Sequence, residues 1–220
     1  WPTTDWGVTT YKIMDVVAKR YDPTRKTTVA MYPARAGGII RANPDFRIKE
    51  NIVPPELATV TEVASFNYTW EDYQEYLKHA PDMIVYQSEA VTNELAAPYF
   101  GMDREKMVGL AYWGGIEYWG ESQGWPRKGW NYSFFNHSME PFPQAWLTKS
   151  IFTDEPLVYI GIVDNEGESK MWNDQVVGQK VISSHWNRIE GNAYNLYTYT
   201  NADEVELLVN GKSIGVQQNS

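Results

Sequence analysis

Apolar and polar positions follow one texture up to about residue 154 and another after it. In the first part, four short apolar runs each close in polar or aromatic residues: Thr27–Tyr32 (TTVAMY), Val63–Tyr68 (VASFNY), Met83–Glu89 (MIVYQSE) and Met107–Gly114 (MVGLAYWG). Helix-compatible or loop sequence separates them, which is the rhythm of parallel βαβ units. Thr10–Tyr21 sets Ile13, Val16, Val17 and Tyr21 on one side at helical spacing, and Asp22-Pro23 stops the helix this predicts. Thr69–His79 predicts a second helix, with Thr69 as N-cap, acids in the first turn, and Lys78 and His79 at the C-terminal end. Thr92–Phe100 predicts a short third helix, and Glu140–Ser150 a fourth that opens with Pro141 and Pro143. Residues 33–62 are broken by Gly37, Gly38 and four prolines, so they read as a long irregular βα loop.

After Glu155 the β-formers come at close spacing. Leu157–Val163, Val176–Ser183, Ala193–Thr200 and Val205–Val209 are the predicted strands. Asn201-Ala202-Asp203 makes one turn, and Asn210-Gly211 is the strongest two-residue hairpin signal. The tail therefore reads as an antiparallel β-sandwich of immunoglobulin type, stopping about four or five strands into a fold that usually has about seven. Four βα units are half of a (β/α)8 TIM barrel. The expected architecture is a half-barrel over residues 1–154, then part of an immunoglobulin-like sandwich over 155–220.

Composition narrows the partners. A net charge of −9 and a pI near 4.9 argue against binding a phosphate backbone, so no nucleic-acid partner is expected. No apolar run approaches the roughly 18 residues that span a bilayer, so no membrane association is expected. The opening WPTTDWGVTT has neither the basic region nor the apolar stretch of a signal peptide. Without cysteine there is no disulfide, thiol nucleophile or Cys-ligated metal, and the compartment stays open. Ten Trp and fifteen Tyr are the anomaly, and a surplus of flat aromatic faces fits a surface that stacks on sugar rings.

The candidate chemistry lies at the ends of the apolar runs, because the C-terminal ends of barrel strands line the active-site mouth. Glu89 closes the third run. A glutamate fixed by a rigid strand can act in glycoside cleavage, which needs two carboxyl groups, and it can equally be a surface acid flanking the next helix. Asn67-Tyr68 closes the neighbouring run, where Tyr68 is either a rim tyrosine or a donor to that carboxylate. Trp113 is either core or the floor of a sugar site. Glu117 and Glu121 are either sugar-hydroxyl ligands or solvated loop acids. His79, His137 and His185 lie too far apart for a metal motif, so caps or surface positions are expected and no metal or other cofactor. The competing class is a non-enzymatic, Trp-rich carbohydrate-binding or structural module.

Taken in order, these pieces resemble glycoside hydrolase family two, the β-galactosidase and β-glucuronidase family, and especially its β-galactosidase-like members from gut-type bacteria. Ser65-Phe66-Asn67-Tyr68 is similar to its G-x-N-Y strand end, and Ser88-Glu89 to the S-E closing the seventh strand. Trp113 to Glu121 (WGGIEYWGE) is similar to W-T-G-x-D-Y-x-G-E, and Pro141 and Pro143 to G-x-P-K-P. His185-Trp186-Asn187, Asn201 to Leu207 and Val209 to Ser213 resemble H-W-N…N-A-D-E-V-E-L-x-x-N-G-K-S. Asp22-Pro23-Thr24-Arg25 follows the helix after the fourth strand. The chain departs at Glu117, where Asp is usual, and at Asn136-His137, where D-L is common. The resemblance implies a retaining exo-β-glycosidase, most closely a β-galactosidase, acting on a carbohydrate substrate. It implies Glu89 as nucleophile, Tyr68 as its stabilising neighbour, and Asn67, Trp113 and Glu117 as substrate-binding residues. It also implies an acid/base glutamate upstream of Trp1 and a periplasmic or secreted location, with a cytoplasmic one as the alternative. Half a barrel further implies a homo-oligomer or association with the rest of the barrel.

Overall fold

The computed structural model describes residues 5–31, 53–68, 73–90, 95–119, 129, 133–165, 170–172, 175–177 and 181–219. They fall into two compact units, Trp1–Trp113 with Lys170–Val177, and Gly114–Ser169 with Gly178–Ser220. Residue 154, where the sequence changes texture, lies inside the second unit.

The first unit is built on a four-stranded parallel sheet in the order β1 (Thr28–Met31), β2 (Val63–Asn67), β3 (Val85–Ala90) and β4 (Met107–Tyr112). Each strand falls on one of the four apolar runs. Helix α1 (Asp5–Tyr21) precedes the sheet, α2 (Tyr73–His79) joins β2 to β3, and α3 (Ala96–Gly101) joins β3 to β4. The expected N-cap Thr69 and the start of the expected third helix lie outside the described residues. So does most of the 33–62 loop, of which the described part holds a 3-10 turn, Glu56–Thr59.

Register explains the core. Val29, Ala64, Val85 and Met107 are cross-strand partners in one row, and Met31 and Phe66 are partners in the next. These six apolar side chains are buried with Val8, Leu57, Ala58, Tyr73, Tyr76 and Met102. Strand β2 is buried along both faces, as expected of a central parallel strand. Alternation sends Ala64 and Phe66 to the apolar face and Ser65 and Asn67 to the other. The polar pair survives burial because each side chain has a partner: Ser65 bonds the Thr28 hydroxyl, and Asn67 bonds Ser88.

Helix α1 corrects one expectation. It starts at Asp5 rather than Thr10, and its Ile13, Val16, Val17 and Tyr21 side faces solvent. The helix is seated by another face instead, through Val8 and Tyr11 in the core and through polar ties from Lys12 to Glu56, Asp15 to Thr27 and Lys19 to Glu62. Periodicity identified the helix but not which stripe the fold covers.

The second unit carries α4 (Pro143–Phe152), whose Pro143 occupies the first turn, where its missing N–H costs nothing. An antiparallel sheet follows in the order β8 (Val181–Ser183), β5 (Val158–Asn165), β9 (Leu196–Thr200). Trp146 of α4 stacks on Tyr159 of β5, and Tyr159 stacks on Tyr199 of β9, with centroids 5.7 and 5.8 Å apart. The Asn201 amide ties down the segment between α4 and β5. Its Nδ2 donates to Thr153 O (2.9 Å) and Glu155 O (2.7 Å), and its Oδ1 accepts from Leu157 N (2.9 Å). Strands β10 (Glu204–Val209) and β11 (Lys212–Gln218) form the hairpin that Asn210-Gly211 predicts, with φ of 49° and 78° at the two turn residues. The run Val176–Ser183, expected as one strand, is two. Its first part lies in β7 (Gln175–Val177), which pairs with β6 (Lys170–Trp172) within the first unit, and its second part is β8.

Candidate active site

Parallel strands bring their C-terminal ends to one edge of the sheet, so the residues closing β2, β3 and β4 become neighbours whatever their distance in sequence. The backbone hydrogen bonds make this concrete. Tyr68 N donates to Glu89 O at 2.9 Å, and Trp113 N donates to Ala90 O at 2.8 Å. Asn67 is in register with Glu89, and Tyr112 with Ala90. Asn67, Tyr68, Glu89 and Trp113, selected from separate stretches of sequence, therefore lie on three adjacent strand ends.

Glu89 owes its place to an irregularity. Ala64, Ser65 and Phe66 pair in step with Val85, Tyr86 and Gln87, but the next partner of Asn67 is Glu89, not Ser88. Against β4 the same stretch of β3 again holds one residue too many, because Gln87 pairs with Leu110 and Ala90 with Tyr112. Simple alternation from Val85 and Gln87 would put Glu89 on the apolar face. The extra residue resets the alternation and aligns Glu89 with Asn67 on the polar face, which is how a bulge re-aims a side chain.

The bulge is tied on both sides. Ser88 Oγ donates to Asn67 Oδ1 at 2.7 Å, and Gln87 Nε2 reaches Glu89 O at 3.4 Å, beside the Tyr68 N–H on the same carbonyl. Asn67 is 1% exposed, so its amide is withdrawn from water and its oxygen is committed to the Ser88 hydroxyl. Tyr68 adopts φ 55°, a left-handed conformation that a bulky side chain rarely takes. Such a conformation costs on the order of 1–3 kcal/mol and persists where surrounding contacts over-determine it. Here Tyr68 is 8% exposed and its N–H is bound, so the site holds a strained residue directly beside Glu89.

Glu117 belongs to the second unit. Its N–H donates to Phe135 O at 2.8 Å, and the two loops also meet at a bridge between Ile116 and Phe135. Its Oε1 accepts from His137 Nδ1 at 2.6 Å and from His137 N at 3.1 Å. His137, expected as a cap or surface residue, is thus the partner of a candidate substrate ligand. Glu121 lies outside the described residues. Gln87 and Ser88 were not selected from the sequence, and only the S-E pairing of Ser88 with Glu89 gave a signal for either.

Among the described residues no cluster of His, Asp and Glu could hold a metal ion, and no helix is long and apolar enough to cross a membrane. A cavity of about 280 Å³ opens at the other end of the sheet, lined by Ala64, Pro81, Met83 and Ile84 among others, and Glu89 does not line it.

Comparison with known proteins agrees with the resemblance read in the sequence. The chain is 38% identical over 93 residues to a β-galactosidase, BoGH2A, of Bacteroides ovatus, a match covering 38% of this chain and 10% of that protein. Its fold is similar to a glycosyl hydrolase family 2 member from Bacteroides cellulosilyticus, with a TM-score of 0.72 and 23% identity over 99% of this chain and 28% of that one. It is also similar to Bacteroides uniformis β-glucuronidase 2, solved covalently bound to cyclophellitol-6-carboxylate aziridine, with a TM-score of 0.58 and 14% identity over 97% of this chain and 26% of that one. Residues 191–220 match a family model described as a domain of unknown function (DUF4982). The chain spans a tenth of the curated relative's length and about a quarter of the solved ones. In sequence and in fold it is similar to glycoside hydrolase family two.

Proposed function

We propose that this chain carries the nucleophile half of a retaining family-two exo-β-glycosidase, with β-galactosides as the favoured substrates. The observation that carries the proposal is the convergence of Asn67, Tyr68, Glu89 and Trp113 on three adjacent parallel strand ends, with a bulge that sets Glu89 on the polar face. A parallel sheet in strictly sequential order supports the barrel form of this proposal, since right-handed crossovers that always advance put their helices on one face of the sheet. In the same reading, residues 1–154 belong to the (β/α)8 catalytic domain and 155–220 to an immunoglobulin-like domain.

Glu89 attacks the anomeric carbon, the glycosidic C–O bond breaks, and an acid/base glutamate supplied by sequence outside these 220 residues protonates the leaving oxygen. The resulting glycosyl ester is then hydrolysed by water, which the same acid/base group deprotonates. The Tyr68 hydroxyl steadies the Glu89 carboxylate, and Trp113 forms the sugar platform. No cofactor enters the reaction. This half of the barrel associates with a second copy or with the rest of the barrel, in the periplasm or outside the cell, with the cytoplasm as the alternative.

The deciding experiment is Glu89→Gln in the full protein, with mass-spectrometric mapping of a 2-fluoro-galactoside label in the parent. The label is expected on Glu89, and the variant is expected to lose nearly all turnover while still binding substrate, because the amide keeps the shape but cannot form the ester. Recovery of the label on another carboxylate refutes the assignment.

A further inference from the structure

The two places where this sequence departs from the family-two pattern, Glu117 and His137, are bonded to each other. Twenty residues apart, they are joined by two hydrogen bonds to one carboxylate oxygen, from the His137 ring at 2.6 Å and from its backbone N–H at 3.1 Å. A carboxylate can only accept, so Nδ1 carries the proton and Nε2 is left as the ring's second polar atom. Glu117 is 12% exposed, which makes it a partly buried anchor. The ring it holds lies 5.3 Å from that of Trp119, at 46°.

Trp119 is 72% exposed. An indole left this open gains nothing from hydrophobic burial, yet it stands beside an imidazole whose orientation is fixed. The loop presenting that imidazole is fixed as well. Asn136 Oδ1 accepts from Ser138 N and Glu140 N at 2.8 and 2.9 Å, and Asn136 Nδ2 donates to Glu140 Oε2 at 2.9 Å. Met139 closes the turn at φ 63°. Phe134 and Phe135 accept and donate backbone hydrogen bonds with Gly115, Glu117 and Phe142, so both loops are parts of one small ladder.

From this we infer that Trp119 and His137 form a preorganised carbohydrate-binding platform on the second unit, taking one pyranose ring of a neutral sugar. The apolar face of the ring stacks on the indole, and a ring hydroxyl meets His137 Nε2. Charge selects a neutral sugar: the Glu117 carboxylate is bonded to the histidine, Glu140 is bonded to the neighbouring Asn136, and a uronate would bring a further negative charge to this loop. Preorganisation favours binding because neither loop must be ordered on association. The choice of ligand class rests on the glycosidase reading, but the platform does not need Glu89 to act.

The test separates the two ideas by working in the full-length Glu89→Gln protein, where turnover is expected to be almost abolished. Indole ¹H–¹⁵N resonances are recorded during titration with lactose and cellobiose, and with a glucuronic-acid disaccharide as the anionic probe. The Trp119 signal is assigned from its loss in Trp119→Phe. It is expected to shift with either neutral disaccharide and not with the uronate. His137→Ala, which keeps Trp119 but removes the polar partner, is expected to weaken that shift's midpoint about tenfold, the size of one good hydrogen bond. The Trp119 response is expected to survive Trp113→Ala. A Trp119 signal that stays still at saturating neutral sugar overturns the platform even if Trp113 responds, and that same Trp113 response leaves the glycosidase reading standing. A shift equal for the uronate overturns the charge argument.

Discussion

The hydrogen bond from Ser88 to Asn67 is the most economical place to test whether the bulge controls chemistry. Asn67 is almost wholly buried and its partner is half-buried. Removing the Asn67 side chain deletes a 2.7 Å hydrogen bond, worth about 0.5–1.5 kcal/mol net, and leaves the Ser88 hydroxyl to find water at a further cost of about 1 kcal/mol. Asn67→Ala should therefore cost about 2–3 kcal/mol of stability, cavity included, and Ser88→Ala about 2 kcal/mol, because it leaves the buried Asn67 amide oxygen without its partner. The shared bond makes the double variant less costly than the sum by about 1 kcal/mol. The same bond pins the extra residue next to Glu89, and a reacting group displaced by about 1 Å loses on the order of 10²-fold in rate. Both single variants should lower kcat/KM for an aryl β-galactoside by about ten- to a hundredfold, and the double variant should be little worse than the poorer single one. Urea unfolding followed by fluorescence and steady-state kinetics on the full protein give the two cycles. Additive stability effects together with an unchanged kcat/KM in Ser88→Ala would refute the coupling between bulge and nucleophile.

Three further outcomes follow from other parts of the molecule. Asn201→Ala removes all three bonds to the segment after α4, so it should cost about 2 kcal/mol and speed hydrogen exchange at the Leu157 amide, whose acceptor it deletes; unchanged exchange there would show that the amide clamp is idle. Gly161→Ala would drive a methyl group into the Ile182 side chain across the β5–β8 pair, so it should lower the melting temperature by several degrees, and an unaltered melt would show that β8 can move aside. Lys26 and then Lys19 hold the exposed Glu62 carboxyl down at about 2, against an ordinary 4.5. A lowered carboxylate stabilises above its unfolded value and loses that contribution as pH falls through about 2, so Glu62→Gln should give a shallower stability loss than the parent between pH 4.5 and 2. High salt should narrow the difference, and superimposable acid profiles would dismiss the ion pairs.

Local sequence determined the elements of this protein. A strand needs only a short apolar run of β-formers, and each of β1 to β4 lies on one. The β10–β11 turn needs two residues that tolerate positive φ, and Asn210-Gly211 supplies them. Proline at 143 starts α4 because the first turn has no use for its missing N–H. The strand-end candidates were legible for the same reason: closing a run in Asn-Tyr, Ser-Glu or Tyr-Trp is visible without knowing what lies beside it. Tertiary structure decided everything that depends on a neighbour. The stripe of α1 that meets the core is not its most apolar one, because Glu56, Thr27 and Glu62 lie where its polar side chains reach. The division of Val176–Ser183 between two units, and the ties of Asn201 to Thr153 and of His137 to Glu117, join residues that no local pattern relates. The face that Glu89 presents was hidden most deeply. Period-two alternation assigns it to the apolar side, and only pairing against β2 and β4 reveals the additional residue that moves it to the polar one. Register is a property of two strands at once, so a single strand's sequence cannot carry it.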